Sequence, residues 1–262
     1  MDISVGPWGF LALILASTLV GFSKTAVNGA NTITLAVFAA VLPARESTGI
    51  LLPLLIVGDV LAVASYWRHA HWPTLLRMTP AVVAGVVVGT AFLAWADDDV
   101  MSRSIGAILL FMLAVTAVRR RKQRAAASRD ERQTPDATDT ESRAGKLKSR
   151  SYGALGGFTT MVANAGGPVM SLYLLSAGFR KMGFLGTSAC FFLVVNVFKV
   201  PFSVGLGLID AHSLLLDAAL VGFVIAGAFL GRACVHRIDQ KLFDRLVIGM
   251  TLLGGTQLLL AG

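Results

Sequence analysis

Charge is scarce in this chain of 262 residues. Asp, Glu, Lys and Arg make up 15% of it, where a soluble domain carries about 25%. With 55% hydrophobic residues and a mean hydropathy of +0.71, that scarcity excludes an ordinary water-soluble fold. Cysteine is almost absent: Cys190 and Cys234 both fall in predicted helices and read as small apolar residues, not a disulfide pair. Ten-residue alternating strands are missing, which argues against a β-barrel. There is no phosphate-cradling loop, no H-E-x-x-H and no G-x-S-x-G, nor a nucleophile–base set at recognisable spacing. An ATP-driven pump and an enzyme are therefore not expected, and no catalytic residue, cofactor or metal is assigned. His69 and His71 lack a metal-ligand pattern. The N-terminus lacks a basic n-region, so Met1–Phe22 is expected to be retained.

What is present is a series of apolar runs, several near or above the ~20 residues that span a hydrocarbon core. Their pattern predicts a multi-pass, all-α integral membrane protein, with helices at 7–22, 32–42, 47–66, 79–95 and 101–118, then 151–163, 168–177, 184–203, 213–231 and 243–261. Between the two sets, residues 119–150 hold eleven Lys/Arg and five Asp/Glu. They are polar and without periodicity, and read as a disordered loop. Beside a transmembrane end such a basic run marks a cytoplasmic loop rather than a nucleic-acid site. The expected organisation is an N-terminal membrane repeat over 1–118, the loop over 119–150 and a C-terminal membrane repeat over 151–262.

The two sets look like copies. Gly21-Phe22 aligns with Gly157-Phe158, Asn28 with Asn164, and Asp59 falls near Asn196. Ala91–Leu93 matches Ala228–Leu230, and Gly85, Gly89, Thr90 and Ala94 match Gly222, Ala226, Gly227 and Gly231. Small residues at such spacing let helices approach closely in lipid. If each short-run pair enters and leaves on one side, nineteen of the 23 Lys/Arg lie on the side of the 119–150 loop. Both termini then lie outside, and the halves are inverted-topology repeats. Each is a broken, re-entrant helix pair plus three transmembrane helices.

The breaks themselves, around Asn28-Gly-Ala-Asn31 and Asn164-Ala-Gly-Gly-Pro168, carry the functional expectation. Each flanking run reads as too short to cross a bilayer. A broken helix frees backbone polar groups that are costly in hydrocarbon unless they line a cavity. A half-helix starting there aims N–H groups at one point and suits an anion. The two breaks are expected to face each other near the midplane. Candidate substrate-binding residues are Lys24, Thr25, Asn28, Gly29, Asn31, Asn164, Gly166, Gly167, Asn196 and Lys199. Lys24 and Lys199 would compensate charge, and Asp59 would neutralise a lysine or carry a proton. A structural Asp59–Lys pair and interfacial lysines are the plainer alternatives. Asp217 reads as a helix-start residue whose charge suits the dipole.

At these residues the chain resembles the TauE/SafE family of sulfite and organosulfur-anion exporters. The resemblance rests on Gly21-Phe-Ser-Lys24, Leu51–Asp59, Asn164-Ala-Gly-Gly-Pro168, Tyr173–Leu175, Lys181–Phe184, Gly186-Thr187, Asn196 and Lys199-Val-Pro201. The first break, Lys24–Asn31, is richer in amides and poorer in glycine than many members. The resemblance implies a secondary transporter in the bacterial inner membrane. It would export sulfite, sulfoacetate or related sulfonates, and leaves proton coupling and homo-oligomer formation open. A passive anion channel of the same fold, and a non-transporting scaffold acting through 119–150, are the competing expectations.

Overall fold

The computed structural model describes residues 6–26, 31–97 and 143–235, with isolated positions at 100, 103, 104, 107, 108, 237, 242 and 245. Among the described residues the chain is helical and has no strand. α1 runs Pro7–Thr25, α2 Asn31–Val41, α3 Ala44–Tyr66 and α4 Trp72–Trp95, with a 3-10 turn at Trp67–His69 between the last two. α5 runs Arg143–Ala163, α6 Gly166–Ser176, α7 Lys181–Gly205 and α8 Ala211–Val235. α1, α3 with the turn after it, α4, α7 and α8 are long and apolar enough to cross a membrane. The helices expected at 101–118 and 243–261 fall almost wholly outside the described residues, as does 119–142.

Three boundaries differ from the sequence reading. α1 has 19 residues and is long enough to cross a bilayer, so only the second run of that pair is short. α4 begins at Trp72 rather than 79. Pro73 sits in its first turn, where a missing N–H costs nothing, and Pro80 remains inside the helix. α5 begins at Arg143, inside the segment read as linker. Once a helix is nucleated downstream, each further residue adds a hydrogen bond, and Lys and Arg extend helices well.

The short helices fold back on their predecessors. The Thr34 hydroxyl lies 3.5 Å from the Ala16 carbonyl, which lays α2 against α1. The Tyr152 and Tyr173 rings are 5.7 Å apart and Val169 faces Gly156, which sets α6 antiparallel to α5. Each short helix has 11 residues, about 16 Å at ~1.5 Å per residue. That is half of a ~30 Å hydrocarbon core, so neither crosses it. The turn between α5 and α6 puts Asn164 at φ 50°, a left-handed conformation that Asn tolerates better than most residues.

Each hairpin is clasped by a long helix from the other half of the chain. Along the α1–α8 seam, Gly21 meets the Val224 carbonyl, Gly227 the Thr18 carbonyl and Gly231 the Phe22 backbone. Along the α4–α5 seam, Gly85 meets the Ala154 carbonyl, Gly157 that of Val82, and Gly89 the Met161 side chain and Phe158 backbone. A Cβ at these glycines would overlap its neighbour, so the lack of one permits the close approach. Both seams are parallel and share one pattern. Val82, Gly85, Val86, Gly89 and Leu93 of α4 are buried 142 positions before Val224, Gly227, Ala228, Gly231 and Val235 of α8.

That register differs by five residues from the spacing of 137 in the sequence alignment. Gly85 corresponds to Gly227 and Gly89 to Gly231, whereas Gly222 faces open space. α3 and α7, by contrast, keep a spacing of 137, with Gly49 and Gly186, Asp59 and Asn196, and Ala62 and Lys199 all buried at matching places. The extra five residues lie between α7 and α8, so one constant spacing cannot align both helices. α3 and α7 cross antiparallel: Gly49 meets Leu208, Asp59 meets Asn196, and Gly186 meets Tyr66 and Ala70.

Candidate functional site

The α3–α7 crossing holds a line of buried polar side chains. Lys24, one residue before the end of α1, places Nζ 2.7 Å from Asp59 Oδ1 on α3 and 4.4 Å from the centre of the Phe192 ring on α7. Asn196 Nδ2 donates to Asp59 Oδ2 at 2.7 Å. Lys199, one turn further along α7, donates to the Thr160 carbonyl and to Asn164 Oδ1, both at 2.6 Å, and lies 3.4 Å from Asn196 Oδ1. Asn164 Nδ2 then donates to the Thr48 carbonyl at 2.9 Å. The line therefore runs from hairpin α1–α2, through α3 and α7, to hairpin α5–α6.

The two lysines are held differently. Lys24 has an anionic partner, an aromatic face and almost no exposure. Lys199 is 1% exposed, and among the described residues its three N–H groups meet neutral oxygens alone. Taken formally, two ammoniums and one carboxylate leave the cluster one positive charge in excess. A buried, unbalanced cation is expensive, and an anion arriving beside it would remove that cost.

The other expected residues fall into place unevenly. Thr25 turns away from the line: its hydroxyl donates to the Gly21 and Ala228 carbonyls, and its own carbonyl accepts from Tyr66 Oη at 2.9 Å. Asn31 is buried with Oδ1 unpartnered among the described residues. Gly166 and Gly167 are buried in the first turn of α6, which has no side-chain cap. Gly166 is wedged among Thr160, Phe192 and Gly156, a packing requirement. Asn28 and Gly29 lie outside the described residues.

Nor do the flanks of the two breaks stand at one depth. Asn164 bonds Thr48 near the start of α3, while Lys24 and Thr25 meet Asp59 and Tyr66 toward its end. Thr48 and Asp59 are eleven residues apart on α3, roughly 16 Å. The polar line connects these flanks, and residues 27–30 of the first break lie outside the described residues. Sequence reasoning passed over Phe192 and the Thr48 carbonyl. Phe192 had a signal, since it lies four residues before Asn196 and seven before Lys199, on one helical face. Thr48 had none, because its contribution is a backbone oxygen.

A cleft of about 350 Å³ opens between α4 and α7, lined by Trp72, Leu76, Val83, Val194 and Phe198 among others. It suits hydrocarbon, and no member of the polar line borders it.

A helical bundle with two short re-entrant helices and a buried polar line is the architecture of a multi-pass membrane protein that handles a solute. The chain matches the family described as sulfite exporter TauE/SafE over residues 13–258, and it belongs to that family, which is one of membrane transporters. No curated protein and no solved structure matches it.

Proposed function

We propose that this chain is a secondary transporter that exports a sulfur-containing anion, such as sulfite, sulfoacetate or a related sulfonate, across the bacterial inner membrane. The anion binds beside Lys199, among Asn164, Asn196 and the first turn of α6, with Asn31 and the unseen Asn28 and Gly29 contributing from the other hairpin. Lys24 and Asp59 form a neutral pair that fixes the second end of the site. The observation that carries this reading is the fully buried Lys199 ammonium, whose partners among the described residues are neutral, beside an Asp59 carboxylate already taken by Lys24.

Alternating access follows from inverted repeats. Two features support that reading: the helices at matching places, α3 and α7, run antiparallel, and each half clasps the other's hairpin through the same glycine pattern. Asp59 touches Asn196, the residue at its own matching position, as expected for residues on a pseudo-two-fold axis. Rocking one half against the other around that axis would expose the site to each side in turn.

The test is flux in proteoliposomes. Wild type should accumulate labelled sulfite against its gradient when a proton gradient is imposed; flux that only dissipates gradients would make the protein a channel. Hydrogen bonds to a charged group are worth about 1.5–3 kcal/mol, so Lys199→Ala should weaken anion binding about tenfold or more. Lys24→Ala and Lys199→Ala proteins that both transport at the wild-type rate would refute the charge role.

A further inference from the structure

Asp217 has no part in the polar line, yet it is buried. It is the seventh residue of α8, about 9 Å inside the helix at ~1.5 Å per residue. It belongs to the stripe Ser213, Asp217, Leu220, Val224, Gly227 and Gly231 that α8 turns inward. Both carboxyl oxygens are shielded from solvent and have no hydrogen-bond partner among the described residues. Ser17, one turn before Gly21 on the facing helix, has a buried hydroxyl in the same condition.

Among the described residues, the charges around it do not balance an ionised carboxylate. α1 and α3 pack against α8. α1 brings Lys24 alone, which is paired with Asp59. α3 brings Glu46, Asp59 and Arg45, the last with its side chain outside the described residues. α8 itself carries His212, exposed at its start, and Arg232 in its last turn. Ser213, one turn below, is occupied by Asp210. An unpaired carboxylate in such a place is far costlier than the neutral acid.

Packing does not ask for a carboxyl group here. At the spacing of 142 that matches the two seams, Asp217 corresponds to Leu75, a buried residue of α4 that lines the cleft toward α7. One half has leucine where the other has an acid.

We propose that Asp217 is a proton-binding site built into the α1–α8 seam: its carboxyl group is neutral while the two helices are packed and releases its proton when they part. The O–H bond breaks as water enters, the proton passes to that water, and the carboxylate left behind is solvated. Reclosure requires a proton to return. A metal cation is a poorer occupant, because it needs a shell of several oxygens, and the seam beside Asp217 and Ser17 is lined by Leu13, Ala16, Leu220 and Val224. α1 carries Lys24 at its far end, so a proton on Asp217 would hold hairpin α1–α2 in its docked position. This last link rests on the transport reading above; the proton site does not.

The full-length protein in nanodiscs, in sodium-free buffer at neutral pH, provides the test. Infrared spectra should contain the carbonyl stretch of a protonated carboxylic acid that is lost in Asp217→Asn and in Asp217→Leu, the latter copying the other half. Both variants should fold, since each is neutral; if only one does, it alone gives the comparison. A wild-type spectrum from which neither variant removes a protonated-acid band would overturn the proposal. So would a sodium-dependent rise in thermal stability that the variants lose, which would mark a cation site. In proteoliposomes, sulfite flux by the variants should lose its stimulation by a proton gradient. A wild type that moves no sulfite would defeat the transport reading while leaving the infrared result to decide this one.

Discussion

The two halves of the molecule share a packing plan and differ in their charges. Every buried ionisable group in the described spans faces a neutral residue at the matching place in the other half. Lys24 of α1 corresponds to Thr160 of α5, Asp59 of α3 to Asn196 of α7, Lys199 of α7 to Ala62 of α3, and Asp217 of α8 to Leu75 of α4. The glycines that set the seams are common to both halves. The scaffold is therefore made of apolar and small residues, and each charge is an addition that packing alone does not explain. Buried charge is costly, so the places where the halves part company are where we propose that function is concentrated.

The strongest test of that contrast makes the halves alike. Asp59→Asn copies Asn196 and leaves the Lys24 ammonium buried without its anion, which should cost about 3–5 kcal/mol. Adding Lys24→Thr, after Thr160, should recover most of that loss. Chemical denaturation in detergent micelles reads both, and a double variant as unstable as the single one would show that the pair is needed for the fold itself.

The common part of the plan is tested at the seams. Gly227→Ala and Gly85→Ala each press a methyl group on a backbone carbonyl and should each destabilise by about 1–3 kcal/mol. Gly222→Ala, in open space, should fall within about 0.5 kcal/mol of wild type. Equal effects at Gly222 and Gly227 would return the alignment to the spacing of 137.

The smallest effect concerns the starts of α4 and α8. His71 Nδ1 pairs with the Thr74 hydroxyl at 2.8 Å, while Asp210 accepts the Ser213 backbone N–H at 2.7 Å. That N–H, chiefly, holds the exposed Asp210 carboxyl below its ordinary range. A lowered value in the folded state means that the stabilisation is complete above the unfolded-state value, about 3.9, and fades as pH falls through the folded one. Melting curves of wild type and Asp210→Ala should differ slightly at neutral pH and converge in acid; a gap that persists in strong acid would assign the difference to helix propensity.

Much of this was legible from composition and order. Long apolar runs marked α3, α7 and α8, and the polar interruptions marked both hairpins, because hydrocarbon penalises exposed backbone wherever a run is broken. Lys24, Asp59, Asn196, Lys199 and Asn164 stood out as polar residues in apolar surroundings, and they meet. The α4–α8 register was not legible, since the five-residue difference between the links hides behind a chance Ala-Phe-Leu match. The direction of the Thr25 hydroxyl was not legible, because a hydroxyl beside a break can turn to either of two neighbours, and only the α8 carbonyl at Ala228 decides which.

The sequence by itself determined that the chain lives in a bilayer, that it is helical, and which few residues would be costly there, because each follows from the transfer of side chains and peptide groups out of water. The tertiary structure alone decided which lysine received the carboxylate, and that Asp217 faces inward with no hydrogen-bond partner among the described residues. Those outcomes depend on which helix faces lie against each other, and that is set by contacts between residues far apart in the chain.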